Sequence, residues 1–301
     1  MKGHTITRAL GALGLATVAV AVSLAQPTQL AFWNFNESDP LDSAAMLAAD
    51  GGVFASQAQI AINLANIVYN NSGTGFRGSP LDPNNPTHPN PPNWGLQTTG
   101  YPAQGQDSGL AGIVVSVPTT GYQNIVVKFD VRWSNTASKF IALEYTTDGG
   151  VNWTRARVLE AQRGDRWHGD TEANGGYGAL VELDLSGDSA VNDNAQFAFR
   201  VVTIFDPNTG QYTAANFPNN PSATYSPNGT LRYDLIEILG EEASSGPEGD
   251  VNGDGCVDDA DLLIVLFNFG NAGGQGDVNN DNIVDDADLL VVLFNFGAGC
   301  R

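Results

Sequence analysis

The chain has 301 residues and a formal net charge of −20, with 13 Lys and Arg against 33 Asp and Glu. This balance argues against nucleic-acid binding, because neutralising phosphates requires a basic patch. Charged residues make up only 15% of the chain, whereas Gly (35) and Pro (15) are abundant, which is typical of a loop-rich folded protein. With only 3 histidines, a histidine-based zinc site or catalytic relay is hard to assemble.

The N-terminus has the pattern of a secretory signal peptide. Lys2 and Arg8 precede an uncharged apolar run at 9–22, and small residues occupy the −3 and −1 positions of a cleavage point after Ala25. The run is short for a membrane span, so we expect a signal peptide at 1–25 and no membrane span after its removal. The sequence therefore predicts an exported protein, secreted or held at the cell surface.

From residue 30 to residue 240 the pattern predicts short β-strands. Runs rich in Val, Ile, Phe, Tyr and Trp alternate with clusters of Gly, Asn, Asp and Pro. In the clearest run, alternate residues from Ile125 to Trp133 form an apolar face, and Lys128, Asp130 and Arg132 lie on the other. The absence of a convincing amphipathic helix here favours a mainly β fold, a jelly-roll-type antiparallel β-sandwich. The predicted strands are 30–36, 58–69, 95–100, 110–117, 124–133, 139–146, 151–159, 179–185, 196–205 and 231–239.

Other segments interrupt or follow the strands. Two insertions, 70–92 and 206–228, are dominated by polar residues, Pro and Gly, so we expect them to lie over the surface. Residues 241–249 have no apolar anchor apart from one Ala, which predicts a linker between a sandwich domain at 26–240 and a small domain at 250–301. In the last strand, alternation predicts a buried face formed by Leu231, Tyr233, Leu235 and Leu239.

The C-terminal region contains an internal repeat with a period of 27 residues: residues 250–261 match 277–288, and each copy precedes an apolar segment. Oxygen ligands at loop positions 1, 3, 5, 9 and 12, with a backbone carbonyl at position 7, suit a seven-coordinate hard cation. Ca²⁺ accepts this set more readily than Mg²⁺ does, so the sequence predicts two bound calcium ions. The predicted ligands are Asp250, Asn252, Asp254, Cys256, Asp258 and Asp261 in one loop, and Asp277, Asn279, Asp281, Ile283, Asp285 and Asp288 in the other.

These two loops, each leading into a helix, resemble a type I dockerin, the duplicated F-hand calcium module. The resemblance covers 249–300 and implies a small all-α domain with two antiparallel helices, a bacterial source and docking onto a cohesin-like or other exported protein. In the family, loop positions 10 and 11 and a basic helix residue contact the partner. Residues 249–300 contain no Lys or Arg, which leaves a purely structural calcium-binding role as an alternative. The docking residues are predicted to be Asp259, Ala260, Leu263, Phe267, Asp286, Ala287, Leu290 and Phe294.

Helical periodicity divides the apolar residues of each repeat into two sets. Leu263 and Phe267, with their repeat partners Leu290 and Phe294, lie off the main stripe and would form a partner surface if they are exposed. The main stripes are predicted to pack on each other as a mutual core. They consist of Leu262, Val265, Leu266 and Phe269, and of Leu289, Val292, Leu293 and Phe296.

The two cysteines, Cys256 and Cys300, both lie in this C-terminal region. Export would place them in an oxidising environment, so we expect a disulfide between them, with two free thiols as the alternative. Cys256 would bind calcium through its carbonyl oxygen, so ion binding and sulfur pairing do not compete.

One loop of the sandwich, 163–172, is a weak candidate ligand site, because Asp165, Trp167, His168 and Asp170 bring carboxylates, an aromatic ring and an imidazole together. The leading interpretation is a non-catalytic recognition or structural protein, with carbohydrate as a candidate ligand. The alternative is a secreted polysaccharide-degrading hydrolase, which needs two carboxyls across a cleft. Spacing singles out no catalytic pair. Candidate acids are Glu144, Glu160, Glu172 and Glu182, and candidate exposed sugar-stacking rings are Trp94, Trp153 and Trp167.

Overall fold

The structure of the chain is a computed structural model. In the part of the chain that it describes, no helix combines the length and the apolar character that a membrane span requires. The predicted signal peptide lies outside the described residues. These residues are 27–36, 47–68, 76–83, 93–169, 178–243, 246–279 and 281–300.

Thirteen strands and, near the C-terminus, two helices are defined within these ranges. They are β1 (Thr28–Trp33), β2 (Gln59–Asn63), β3 (Asn66–Ile67), β4 (Phe76–Arg77), β5 (Trp94–Thr99), β6 (Gly112–Ser116), β7 (Tyr122–Trp133), β8 (Phe140–Thr146), β9 (Thr154–Glu160), β10 (Arg166–Trp167), β11 (Val181–Asp184), β12 (Ala198–Ile204), β13 (Leu231–Glu242), α1 (Asp259–Asn268) and α2 (Asp286–Phe294).

The strands form two antiparallel sheets. The larger sheet follows the order β10-β7-β13-β5-β3, with β1 paired to β13 and β11 to β7, and the smaller follows β2-β6-β12-β8-β9. Apolar side chains of both sheets meet in one buried core, where the rings of Phe129 and Phe199 stack with centroids 6.3 Å apart. The prediction of a mainly β fold with antiparallel sheets is confirmed.

The alternation predicted in β7 is confirmed on its apolar face, from Ile125 to Trp133. The opposite face differs from the prediction, because Asp130 is fully buried. Ser79, from the insertion predicted to lie over the surface, covers it and donates its hydroxyl to Asp130 Oδ2 at 2.5 Å. The backbone N–H of Ser79 also reaches Asp234 Oδ2 at 2.6 Å. Hydrogen bonds therefore allow part of this polar insertion to be buried.

The buried face of β13 changes within the strand. Leu235 has a φ of 50°, and the register against β7 shifts between Asp234 and Glu237. Such a bulge inserts one residue and moves the following side chains to the opposite face. The predicted burial of Leu235 and Leu239 is therefore wrong, and the buried residues after the bulge are Ile236 and Ile238.

The division of the chain into strands also differs from the sequence prediction. The single strand predicted at 58–69 is divided into β2 and β3, which lie in different sheets, and Leu64 between them has a φ of 47°. The strand β13 extends through Glu242, into the predicted linker. β4 and β10 were not predicted, because two residues are too few to give a periodic pattern.

The two helices bury a narrower stripe than periodicity predicts. Val265 of α1 and Val292 of α2 are fully buried and pack with Val257 and Val284 of the preceding loops. Leu262 and Leu289 are partly buried against this cluster. The helices meet along this one stripe, so the rest of the predicted core is wrong: Leu266, Phe269, Leu293 and Phe296 are about half exposed.

Candidate functional site

Each C-terminal helix begins at a capping box of two aspartates. Asp258 precedes α1 and accepts the N–H of Ala260 at 2.8 Å, and Asp285 precedes α2 and makes the equivalent bond at 2.8 Å. In both helices the aspartate three residues later binds back to the N-cap N–H. These carboxylates satisfy N–H groups that have no partner inside the helix, and they lie at the positive end of its dipole. The repeated sequence therefore starts two equivalent helices.

Asp261, at position 12, also fixes the beginning of its loop. Its carboxylate is buried and accepts the N–H groups of Val251 at 2.7 Å, Asn252 at 3.0 Å and Asp258 at 2.9 Å. Asp288 makes the same three bonds in the second loop, at 2.6, 3.0 and 2.9 Å. Desolvation raises the pKa of both carboxyls, but these backbone N–H groups outweigh it, so the pKa of each is lowered. Both side chains are therefore held as anions.

The first aspartate of each loop binds the turn at position 6. Asp250 Oδ2 accepts the N–H of Gly255 at 2.8 Å, and Asp277 Oδ2 accepts that of Asn282 at 3.0 Å. Both turn residues have positive φ, 88° for Gly255 and 72° for Asn282. Asparagine adopts this conformation more readily than most non-glycine residues do. The two loops therefore have closely matching backbones despite the Gly-to-Asn difference.

The loops are rich in oxygen donors and lack basic residues. Residues 246–300 contain neither Lys nor Arg, and none of their described carboxylates forms an ion pair. The eight aspartates at the predicted ligand positions each accept a backbone N–H group. Among the described residues, no three His, Cys, Asp or Glu side chains are gathered into a ready-made metal cluster. An all-oxygen donor set with uncompensated negative charge fits a hard cation such as Ca²⁺.

All eight residues predicted to contact a partner are exposed. The phenylalanines are the most prominent: Phe267 is 82% exposed and Phe294 is 83% exposed, and Leu263 and Leu290 are each 47% exposed. Leu266 and Leu293, which were predicted to be core residues, extend this apolar surface. Both helices therefore present apolar side chains on a face that their mutual contact does not cover.

A disulfide connects the first loop to the end of the chain. The structure joins Cys256 to Cys300, with Cα atoms 4.4 Å apart across 44 residues of sequence. The backbone supports the same connection, since Val257 donates its N–H to the Ala298 carbonyl at 2.9 Å and accepts that of Gly297 at 2.7 Å. The bridge therefore closes a segment that contains the second half of the first loop, the whole second loop and both helices.

The predicted ligand loop of the sandwich is divided by the structure. Asp165 and Trp167 line one cavity, whereas His168 does not line it. His168 is buried and donates from Nδ1 to the Ala179 carbonyl at 2.7 Å, and burial lowers the pKa of its imidazole. Asp170 lies outside the described residues. Only two of the four predicted residues are therefore brought together at this cavity.

The cavity has a volume of about 380 Å³ and lies beside a row of directly opposed residues that crosses four strands, three of them polar and the fourth a tryptophan. Gln97 of β5 is opposite Arg232 of β13, Arg232 is opposite Arg132 of β7, and Arg132 is opposite Trp167 of β10. Arg132 Nη2 forms an ion pair with Asp165 at 2.9 Å. The remaining lining residues are Arg77, Gly78, Pro80 and Arg166.

Sequence reasoning did not predict the arginines of this cavity. Alternation placed Arg132 on the polar face of its strand, but nothing in the sequence pairs it with Arg232, which lies 100 residues later. Strand register is decided by pairing between distant segments, so the opposition of Arg132 and Arg232 can be seen only in the folded chain.

The five tryptophans do not provide the predicted exposed stacking rings. Trp94 and Trp167 are buried. Trp153 is partly buried, and the guanidinium of Arg200 lies 4.3 Å from its ring centroid. The prediction of exposed sugar platforms is therefore wrong, because arginine and neighbouring strands cover the rings.

The described glutamates that were candidate acids are engaged in ion pairs. Glu144 is buried and contacts Arg155 at 2.8 Å and Arg200 at 2.5 Å. Glu160 and Glu182 are exposed and pair with lysines at 2.6 and 3.1 Å. The fourth candidate, Glu172, lies outside the described residues. Glu144 therefore acts as a structural anchor for two guanidinium groups.

Replacing Glu144 with glutamine is expected to lower the free energy of unfolding by roughly 3 kcal/mol, since breaking a buried ion pair leaves unpaired charge behind. The matched control is Glu182→Gln, whose exposed pair is worth about 1 kcal/mol or less. Urea unfolding followed by tryptophan fluorescence measures both. Equal midpoints for the two variants would contradict a structural role for Glu144.

No family model and no curated protein matches this sequence. Several solved structures are similar at low scores. One contains the CBM22-1 and GH10 modules of a Clostridium thermocellum xylanase, in complex with xylohexaose: identity is 7%, the match covers 72% of this chain and 29% of that one, and the TM-score is 0.38.

Two further structures have lower scores. The CBM22 tandem domain of Paenibacillus barcinonensis Xyn10C is 12% identical, with 60% of this chain and 46% of that chain covered and a TM-score of 0.31. The K1 cleaved adhesin domain of Lys-gingipain from Porphyromonas gingivalis is 10% identical, with 61% and 98% covered and a TM-score of 0.28. This chain spans less than half the length of the two solved structures that contain CBM22 modules. TM-scores this low do not define a shared fold, so the chain is described by its own geometry: a two-sheet antiparallel β protein with a duplicated acidic loop-helix tail.

Proposed function

We propose that this is an exported, non-catalytic binding or structural protein whose C-terminal segment is a dockerin-like module that binds two calcium ions and docks another exported protein. The observation that carries the proposal is the match between the two loops, in which equivalent aspartates accept equivalent backbone N–H groups. An accidental turn would not be reproduced after 27 residues together with its helix cap.

Calcium has a clear role in this proposal. The ten aspartates of 250–301 repel one another at neutral pH, and no basic side chain among the described residues offsets them. Divalent ions bound by the loop oxygens would remove that repulsion and couple ion binding to folding. The residues that would hold them are the twelve loop positions predicted from the repeat.

The exposed apolar helix face supports docking. Phe267 and Phe294 occupy equivalent positions of the repeat, so one partner surface could engage either helix. Covering apolar area is favourable by roughly 25 cal/mol per Å². A module that bound calcium but docked no partner would gain nothing from exposing four apolar side chains to water. The proposed partner is a cohesin-like exported protein with an apolar surface.

The docking proposal is tested with the variant Leu263→Ser, Phe267→Ser, Leu290→Ser and Phe294→Ser in the full chain. We expect it to lose calcium-dependent capture of the partner from the extracellular fraction of the source organism. Replacing only the first pair should leave most of the binding. Val151→Ser, at a sandwich residue that is 79% exposed, is the control and should bind as the parent does. Retention of the same proteins by the quadruple variant would refute this surface.

For the sandwich, we propose a recognition role with carbohydrate as the candidate ligand. A polysaccharide hydrolase needs two carboxyls facing one cleft. The three described glutamate candidates are instead engaged by Arg or Lys, which favours the non-catalytic alternative. Release of reducing sugar by the purified protein would overturn it.

A further inference from the structure

We propose that the arginine-lined cavity of the larger sheet binds the carboxylate of an acidic saccharide, a chain that contains uronic acid residues. This inference rests on the proposed carbohydrate-binding role of the sandwich and specifies its ligand. Charge is the first argument. Among the described residues, four of the chain's 13 Lys and Arg and one aspartate line this cavity, in a protein of net charge −20. A concentrated positive charge in an acidic protein attracts anions.

The arrangement of the arginines is the second argument. Arg132 and Arg232 lie directly opposite each other on β7 and β13, and like charges in that position destabilise a sheet. Asp165 offsets the charge of Arg132, but the hydrogen-bond partners of Arg232 are the neutral Gln97 side chain and the Arg77 carbonyl. Burial, followed by the charge of Arg132, lowers the pKa of Arg232 to about 9, and the opposing charges of Asp165 and Asp234 offset this only in part. An anion beside Arg232 would offset this repulsion.

The hydrogen-bonding state of Arg232 is the third argument. A guanidinium has five N–H donors. Gln97 Oε1 accepts from Nε at 3.0 Å and from Nη2 at 2.5 Å, and the Arg77 carbonyl accepts from Nη1 at 2.6 Å. Among the described residues, one N–H on each terminal nitrogen therefore has no acceptor, and a carboxylate accepts such a pair in bidentate fashion. The ring of Phe76, with its centroid 5.0 Å from Arg232 Cζ, helps to hold the group in place.

The cavity favours a sugar acid over a bare inorganic anion. Its volume of about 380 Å³ falls in the range of small-ligand pockets, roughly 300–1,000 Å³, and exceeds what a sulfate or phosphate ion fills. Asp165 would repel a multiply charged ion, but its carboxylate accepts hydrogen bonds from hydroxyl groups. A uronic acid carries one carboxylate and several hydroxyls on the same ring, so it complements both kinds of lining group.

The test is isothermal titration of the full-length protein with tetragalacturonate and with its fully methyl-esterified form, which keeps the sugar rings and hydroxyls but replaces each carboxylate with an uncharged methyl ester. We expect the acid to bind at least about tenfold more tightly. Arg232→Lys keeps the positive charge but removes the planar guanidinium with its paired N–H donors, so it should weaken binding of the acid about tenfold. Arg77→Gln should weaken it several-fold and retains the backbone carbonyl that Arg232 uses. Arg163→Gln is the matched control. Arg163 is exposed, lies two residues before Asp165 and does not line the cavity, so its replacement should leave binding unchanged.

Three outcomes would refute binding of an acidic saccharide at this cavity. Equal affinity for acid and ester, with both unaffected by Arg77→Gln, would reject carboxylate recognition and leave a neutral-glycan role of the sandwich standing. Displacement of the acid by an equal concentration of sulfate would indicate a simple anion site. If neither tetragalacturonate nor a glucuronate-bearing oligosaccharide binds, the cavity has no acidic-saccharide function, and the docking test still judges the C-terminal module separately. Thermal unfolding of each variant verifies that it is folded.

Discussion

Replacing Asp261 with alanine is expected to reduce the number of calcium ions bound by the full-length protein from two to one. Asp261 accepts three backbone N–H groups of its own loop and caps α1. These N–H groups are partly shielded from water, and an N–H that is shielded and left without an acceptor costs about 1–3 kcal/mol, so the loop should no longer hold its ligand geometry. Isothermal titration with CaCl₂ after chelation gives the stoichiometry. Asp288→Ala should have the same effect on the second loop, and the double variant should bind no calcium.

The matched control is Asp259→Ala. Asp259 lies in the same first turn of α1 and is exposed. Its carboxylate accepts no hydrogen bond from the described residues, so two calcium ions should remain bound. Chymotrypsin provides a second measurement, because Phe267 and Phe294 become cleavable when the segment unfolds. A variant Asp261→Ala that still binds two ions, or a control that loses one, would contradict the proposed ligand set.

Removing the disulfide is expected to destabilise the C-terminal segment by about 4 kcal/mol, the loop-closure value for a bridge across 44 residues. The bridge restricts the unfolded chain, whereas the folded segment keeps its backbone bonds between Val257 and the residues before Cys300. The variant Cys256→Ser/Cys300→Ser should therefore be cleaved by chymotrypsin at a lower urea concentration than the parent, with calcium present in both.

Reduction of the parent protein is the control for this prediction. With dithiothreitol the parent should match the double serine variant, and dithiothreitol should not alter the variant. The fluorescence transition of the sandwich should stay unchanged throughout, since all five tryptophans lie outside the bridged segment. Two alkylatable thiols in folded, unreduced protein would contradict the bridge.

Features set by neighbouring residues could be predicted from the sequence. The apolar face of β7 was predicted from alternation. The capping aspartates and the positive φ at Gly255 and Asn282 are also encoded within a few residues of where they occur, although the aspartates were predicted only as calcium ligands. Helix caps, turn conformations and alternation depend on local sterics and hydrogen bonds. In the sandwich, burial was mispredicted where a distant segment intervened, as when Ser79 covered Asp130.

The sequence by itself determined a mainly β chain with a duplicated acidic loop-helix segment at its end. Only the tertiary structure decided which polar residues meet: the bulge at Leu235 reversed the buried face of β13, and the pairing of β7 with β13 brought Arg132 opposite Arg232. Side chains alternate with a period of two, so a one-residue change in register exchanges the core and surface faces of a strand. That register is selected by contacts between residues about 100 positions apart, which no local pattern in this chain records.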